Sequence, residues 1–351
     1  MKAILIGNRQ RYGRFYPDTA FENSVEKIYM TMEEAGQGIP EEARDAQFLV
    51  VDAIANVPAG LMAQLPDLKI IHSEGVGYNG IDCAAAAERG IYVCNHRGAN
   101  AEAVAEQAIL LMLGLQRSVV EGDAAVRAGR QIQQKDSMIV SGITGLGDCR
   151  VGLIGFGDIG KALAKRLGAF GCEIFYNATH RKSIEEEVLY GVAWMEREEM
   201  LRTCDIISIH VPVTPETVGM VDETFLKMMR PDAILINTAR GEIVDNEALA
   251  KALTEGWIWG AGLDTVAPEP VGADHPLLHL AAGSKIGNGD IGNITSDSPA
   301  SKAEVSSGRL LFSPHIGGGT TGVFRKIHRN IWIALEKVSK GERPANVVNG
   351  I

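Results

Sequence analysis

Three titratable residues in the second half of the chain each follow an apolar run. Arg240 comes after Leu235-Ile236-Asn237-Thr238-Ala239, Glu269 after Gly262-Leu263-Asp264-Thr265-Val266-Ala267-Pro268, and His315 lies within Phe312-Ser313-Pro314-His315-Ile316-Gly317-Gly318. Taken singly, each has an ordinary explanation: a surface ion-pair partner, a loop carboxylate beside two prolines, a packed loop histidine. Downstream of a nucleotide-binding turn, the three together suit hydride transfer to a carbonyl. Reduction of a 2-keto acid needs a fixed cation for the carboxylate and a proton donor for the oxygen that becomes a hydroxyl. An arginine can fork onto a carboxylate and polarise a carbonyl. A histidine exchanges protons near neutrality, and an adjacent carboxylate such as Glu269 would orient its ring and favour its protonated form.

The nucleotide-binding turn is Gly155-Phe156-Gly157-Asp158-Ile159-Gly160, between the apolar run Val151–Ile154 and the helical run Lys161–Leu167. In such a strand, turn and helix the first glycine permits the tight turn. The second lets backbone N–H groups approach a pyrophosphate, and the third lets helix and strand pack closely. A glycine turn in an α/β fold without a ligand is the alternative.

These residues need a scaffold, and the chain alternates strand-like and helical runs. Lys2–Gly7, Phe48–Ala53, Leu68–Ser73 and Ile91–Cys94 read as strands before the glycine turn, with Asp82–Arg89 helical. Glu173–Tyr176, Asp205–Val211, Ala233–Asn237 and Ile258–Leu263 follow it, separated by helices such as Asn246–Thr254. Repeated βα units imply parallel sheets, whose ligands sit at the carboxyl ends of the strands. From Asn100 a long helix begins that is apolar on more than one side, a candidate domain bridge, subunit interface or core element. The last helix, about Val323 to Lys340, is amphipathic.

Bulk properties agree. A chain of 351 residues exceeds one ordinary domain, and 46% hydrophobic with 22% charged residues is globular composition. A formal net charge of −10 argues against a nucleic-acid partner. Five cysteines without C-x-x-C spacing fit reduced thiols in a cytoplasmic protein better than disulfides or zinc, and no metal is expected. The N-terminal apolar stretch is too brief for a signal peptide, and no run reaches a membrane span.

The chain resembles the D-isomer-specific 2-hydroxyacid dehydrogenases over most of its length. Besides the glycine turn, the resemblance rests on Glu74-Gly75-Val76-Gly77-Tyr78-Asn79-Gly80-Ile81-Asp82, Val104-Ala105-Glu106 and His210-Val211-Pro212-Val213-Thr214. It also rests on Asn237–Gly241, Leu263-Asp264 with Glu269-Pro270, and Ser313–Gly317. It implies an α/β fold of two Rossmann-like or flavodoxin-like domains with parallel sheets, the cofactor domain (99–318) inserted in a substrate domain (1–98 plus 319–351). The two crossings would make a hinge. It implies Arg240 as substrate anchor, Glu269 as the histidine's partner, His315 as general acid/base, and backbone amides at Val76 and Gly77 as carboxylate ligands. Glycines at 75, 77 and 80 suit such an anion nest, a plain turn being the alternative. The cofactor-binding set is Gly155, Gly157, Asp158, Ile159, Gly160, Asn177, Arg181, His210, Val211, Pro212, Thr217, Thr238, Ala239, Asp264, His315 and Gly317, and the expected assembly is a homodimer. A non-catalytic, nucleotide-sensing corepressor or scaffold is the alternative function, and retention of Arg240, Glu269 and His315 argues against it. Glu269 also argues against formate dehydrogenase, whose branch carries glutamine there.

Two features depart from the family pattern. Asn177 stands where an NAD site usually carries an acidic residue, and Ala178-Thr179-His180-Arg181-Lys182-Ser183 follows, so NADP(H) is favoured over NAD(H). Residues 281–308, rich in Gly, Ser, Asn and Asp, read as an inserted loop between Glu269 and His315 that could restrict substrate choice, form an oligomer contact or be a solvated excursion.

Overall fold

The computed structural model describes residues 1–282 and 309–351, so most of the inserted loop read at 281–308 lies outside the described residues. The chain divides into two units, Met1–Asn100 with Gly319–Ile351, and Ala101–Gly318.

In the first unit, strands β1 (Lys2–Ile6), β2 (Glu26–Met30), β3 (Phe48–Val51), β4 (Ile70–Ser73) and β5 (Tyr92–Cys94) form a parallel sheet of order β2-β1-β3-β4-β5. β3 and β4 are buried throughout, as parallel strands covered on both faces must be. The C-terminal helix Thr321–Ser339 places Ile327, Ile331, Trp332, Leu335 and Val338 on one face of that sheet.

In the second unit, β6 (Arg150–Ile154), β7 (Glu173–Asn177), β8 (Ala193–Trp194), β9 (Ile206–Ile209), β10 (Ile234–Asn237), β11 (Gly260–Leu263) and β12 (Leu310–Phe312) form a parallel sheet of order β12-β11-β10-β9-β6-β7-β8. Its register aligns the strand ends: Ile154 pairs with Asn177 and Ile209, Asn237 with Ile209 and Leu263, and Leu263 with Phe312. Whatever follows these six residues therefore emerges at one end of the sheet. The helix Ala101–Gln116 is part of this unit's core, with Ala105, Ala108, Leu111, Met112 and Leu115 packed against strand residues such as Val151, Ile234 and Ile236. Gly262 lets it approach: a Cβ there would stand 3.0 Å from Leu111 Cβ. Among the described residues, no single helix is long and apolar enough to cross a membrane.

Three strands lie where no strand was read from the sequence. β2 is an edge strand, buried only at Met30, so its residues Glu26-Lys27-Ile28-Tyr29-Met30 make no continuous apolar run. β8 has two residues, and β12 follows directly on the segment outside the described residues. Helices Val119–Arg127 and Gln131–Ser141 were also unread, because between them they bury only Ala125.

Candidate active site

The common strand end of the second unit carries the predicted cofactor and catalytic residues. After β6, Gly155 adopts φ +96°, and a Cβ there would stand 2.4 Å from the His210 carbonyl oxygen. Gly160 lies in the first turn of the helix Asp158–Phe170, where a Cβ would meet the Gly155 oxygen at 2.8 Å. Gly157, the N-cap, differs: apart from its own chain neighbours, no atom among the described residues lies within 4 Å of its would-be Cβ, and its residue makes no side-chain cap to the helix. The first and third glycines thus serve internal packing, while the second leaves a bare helix N-terminus that fits a pyrophosphate.

After β9, burial pushes the His210 imidazole down to about 4, so the ring is neutral. Its Nε2 lies 2.8 Å from Ser208 Oγ, while Nδ1 is buried without a partner among the described residues. Thr238 Oγ1, after β10, and Thr265 Oγ1, after β11, are likewise buried and unpartnered. Three unpaired buried polar atoms at the same sheet end as the bare helix N-terminus fit a bound dinucleotide that supplies hydrogen bonds. Val211 and Pro212 continue this strand end. Thr217 is turned to its own loop, donating to the Pro212 carbonyl at 2.7 Å and accepting from Thr214 N–H at 2.7 Å.

The turn carrying Arg240 is shaped by Asn237, whose amide donates to the Arg240 carbonyl at 2.8 Å and whose oxygen accepts Ala239 N–H at 3.0 Å. Arg240 Nη1 donates to the Ala239 carbonyl at 2.7 Å. Gly241 lets this turn press on the segment leading to Glu269, since a Cβ would stand 2.2 Å from Ala267 N. Sequence reading did not assign a role to the Asn237 side chain, although a fully buried amide ending an apolar strand is a signal for one.

Asp264 holds the histidine loop. One carboxylate oxygen accepts Ser313 Oγ–H at 2.5 Å and Ile316 N–H at 3.1 Å, and the other accepts Gly317 N–H at 2.8 Å. Gly317 must be glycine for this, because a Cβ would stand 2.7 Å from Asp264 Oδ2. His315, held at φ +51°, then places Nδ1 2.9 and 2.8 Å from the two Glu269 oxygens. An ionised carboxylate only accepts, so Nδ1 carries the hydrogen and Nε2 is left to exchange a proton. The structure joins Glu269 to His315, whereas Arg240 forms no hydrogen bond to either among the described residues.

At the end of β7, Asn177 donates through Nδ2 to the Met195 carbonyl at 2.9 Å. Arg181 pairs with Glu187 through Nε at 3.0 Å and Nη2 at 3.2 Å, a partner that sequence reading did not anticipate. Val76 and Gly77 lie in the first unit, in the loop after β4. Among the described residues no group of three His, Cys, Asp or Glu side chains could hold a metal, and the five cysteines are free thiols.

A parallel α/β unit with a dinucleotide turn and a carboxylate-backed histidine at one strand end defines a nicotinamide-dependent oxidoreductase. Residues 109–282 match the family model described as D-isomer specific 2-hydroxyacid dehydrogenase, NAD binding domain. The chain is 38% identical over 313 residues to the glyoxylate reductase of Thermococcus litoralis, covering 88% of this chain and 85% of that one. A solved NADPH-dependent glyoxylate/hydroxypyruvate reductase from Sinorhizobium meliloti, in complex with NADP and malonate, superposes with a TM-score of 0.76 at 26% identity over 99% of this chain and 96% of that one. The Aquifex aeolicus D-lactate dehydrogenase complexed with NAD and lactic acid gives a TM-score of 0.81 at 25% identity over 99% of both. The chain belongs to the D-isomer specific 2-hydroxyacid dehydrogenase family.

Proposed function

We propose that this protein is an NADP(H)-preferring reductase of small 2-keto acids, with glyoxylate and hydroxypyruvate as its substrate class. The observation that carries the reading is the Glu269–His315 pair, with Nδ1 within 2.9 Å of both carboxylate oxygens, at the strand end where the glycine turn opens. Gly155–Gly160 and the strand-end residues at 210–212, 238–239 and 264 would hold the coenzyme, which supplies hydride to the keto carbon when bound. His315 Nε2 gives the proton to the substrate oxygen in reduction and takes it back in oxidation. Glu269 orients the ring and stabilises the imidazolium. Arg240 anchors the substrate carboxylate, and the N–H groups of Val76 and Gly77 are its proposed backbone ligands.

The NADP(H) preference is supported by neutral Asn177 at the end of β7, followed by His180 and Lys182 and by Arg181, which would exchange its Glu187 partner for a 2′-phosphate. The glyoxylate reductases it resembles support the substrate class. A homodimer is part of the proposal: Val119, Val120, Val126, Ile132, Ile139 and Val140 are each more than half exposed along helices Val119–Arg127 and Gln131–Ser141, an apolar row suited to a second copy. The free thiols favour a cytoplasmic setting.

The test is oxidation of NADPH and NADH by the purified protein with glyoxylate, hydroxypyruvate, pyruvate and branched or aromatic 2-keto acids. Turnover of the two smallest polar acids with NADPH preferred is expected. Asn177→Asp should move the coenzyme ratio toward NADH by about tenfold, the equivalent of roughly 1.4 kcal/mol. Tight nucleotide binding without turnover of any acid would favour the sensor instead, and a wild-type preference for NADH would remove the NADP assignment.

A further inference from the structure

The loop Gly75–Gly77 contains three carbonyls, and the protein takes hold of every one of them. His96 N–H donates to the Gly75 oxygen at 3.0 Å, Asn95 Nδ2 to the Val76 oxygen at 2.9 Å, and Ser73 Oγ to the Gly77 oxygen at 2.6 Å. Ser73 Oγ also accepts Gly75 N–H at 3.2 Å, closing the loop on itself. Ser73 and Asn95 are buried, being 1% and 4% exposed. The N–H groups of Val76 and Gly77, by contrast, have no hydrogen-bond partner among the described residues.

Peptide geometry connects these facts. In a trans peptide the C=O of one residue and the N–H of the next lie in one plane and point opposite ways. Holding the Gly75 carbonyl therefore aims Val76 N–H away from His96, and holding the Val76 carbonyl aims Gly77 N–H away from Asn95. Asn95 is itself held from behind. Its N–H donates to the Asn346 carbonyl at 3.3 Å, Val348 N–H to Val93 O at 2.8 Å, and Asn349 bonds both Val93 N–H and the Ile91 carbonyl, at 3.1 and 2.8 Å. The C-terminal residues Asn346–Asn349 thus lie along β5 and brace the residue that aims the loop.

We infer that Asn95 and Ser73 are positioning residues for substrate: Asn95 aims the Gly77 N–H by holding the Val76 carbonyl, and Ser73 pins the peptides on either side of the two amides, through Gly75 N–H and the Gly77 carbonyl, so that the loop is set in advance to receive a carboxylate. The inference rests on the proposed reduction of 2-keto acids. Pre-set amides make an anion site without the ordering cost a free loop would bear.

The test uses full-length wild type, Asn95→Ala, Ser73→Ala and Ser73→Thr. It measures steady-state kinetics with glyoxylate and NADPH, and calorimetric binding of oxamate to the coenzyme complex. A hydrogen bond to a charged group sets the scale, so Asn95→Ala and Ser73→Ala should each raise the glyoxylate KM and the oxamate Kd by about ten- to a hundredfold. The kcat should stay within about threefold and the NADPH KM within about twofold, a split that general loosening would not produce. Ser73→Thr keeps the hydroxyl and should restore oxamate binding. Should Asn95→Ala fail to fold, the Ser73 pair decides alone, since it differs only in the oxygen and a methyl group. If the wild type turns over glyoxylate and both alanine variants keep wild-type KM and oxamate affinity, the inference fails and the function stands. A wild type that turns over no 2-keto acid but binds oxamate, with binding lost in the variants, removes the function and keeps the inference. Absence of both turnover and oxamate binding in the wild type removes both.

Discussion

His315 occupies a left-handed backbone conformation, φ +51°, that a non-glycine residue adopts at a cost of about 1–3 kcal/mol. The loop stays there because it is over-determined. His315 N–H donates to the Asp264 carbonyl at 2.9 Å, and the Asp264 carboxylate takes three more hydrogen bonds from Ser313, Ile316 and Gly317. Asparagine tolerates the left-handed region better than most residues, so His315→Asn should fold with a thermal midpoint at or above wild type. It should nevertheless lose about 10²–10⁴ in kcat, the usual contribution of a general acid. Glu269→Gln keeps the shape but not the charge that supports an imidazolium, and should cost less, about ten- to a hundredfold in kcat at nearly constant KM. Equal losses in kcat and KM for both variants, or a destabilised His315→Asn, would show that the loop rather than the proton is what they disturb.

The glycine turn separates packing from ligand binding at the level of one element. A side chain at Gly155 would strike the His210 carbonyl at 2.4 Å in a backbone conformation of φ +96°, whereas one at Gly157 meets nothing within 4 Å among the described residues beyond its chain neighbours. Gly157→Ala should leave the thermal midpoint nearly unchanged and weaken NADPH binding by about tenfold or more, read by fluorescence titration; Gly155→Ala should lower the midpoint first. A Gly157→Ala protein that binds NADPH normally would contradict the assignment of that helix N-terminus. The turn was legible because a buried parallel strand is an apolar run, as in Arg150-Val151-Gly152-Leu153-Ile154, and a glycine cluster ends it. Arg240 and Glu269 were legible for the same reason, each following a buried strand of that kind, whereas His315 follows β12, which is only partly buried and left no such run. What joins distant segments was not. The hydrogen bond from Asn95 to Val76 spans 19 residues, and Asp264 reaches Gly317 across 53, with no local pattern to announce either. The edge strand Glu26–Met30 and the helices at 119–141 escaped because they bury too little to leave a periodic signature.

Across the whole molecule, the polar interior sets a pH limit. The His72 and His96 rings lie with centroids 4.6 Å apart and planes tilted by 31° in the first unit, and His210 lies in the second. Burial holds all three imidazoles neutral: His72 and His210 are pushed down to about 4, and His96 to about 2. An unfolded chain exposes each near its ordinary value of about 6.5. Between that value and the folded ones the unfolded state binds more protons, so stability rises with pH there and is lost as pH falls. Each histidine contributes a slope of up to about 1.4 kcal/mol per pH unit, fully developed only well below 6.5. The thermal midpoint should therefore hold level with respect to these groups above about pH 7 and drop with growing steepness toward pH 5. His210→Gln removes one such proton from the 101–318 unit only. Its midpoint should fall less between pH 7 and 5 than that of wild type, because His72 and His96 still take up protons on unfolding and position 210 no longer does. Scanning calorimetry of both proteins over that range decides the matter: parallel acid profiles for the variant and the wild type would mean that His210 titrates alike folded and unfolded, against its burial.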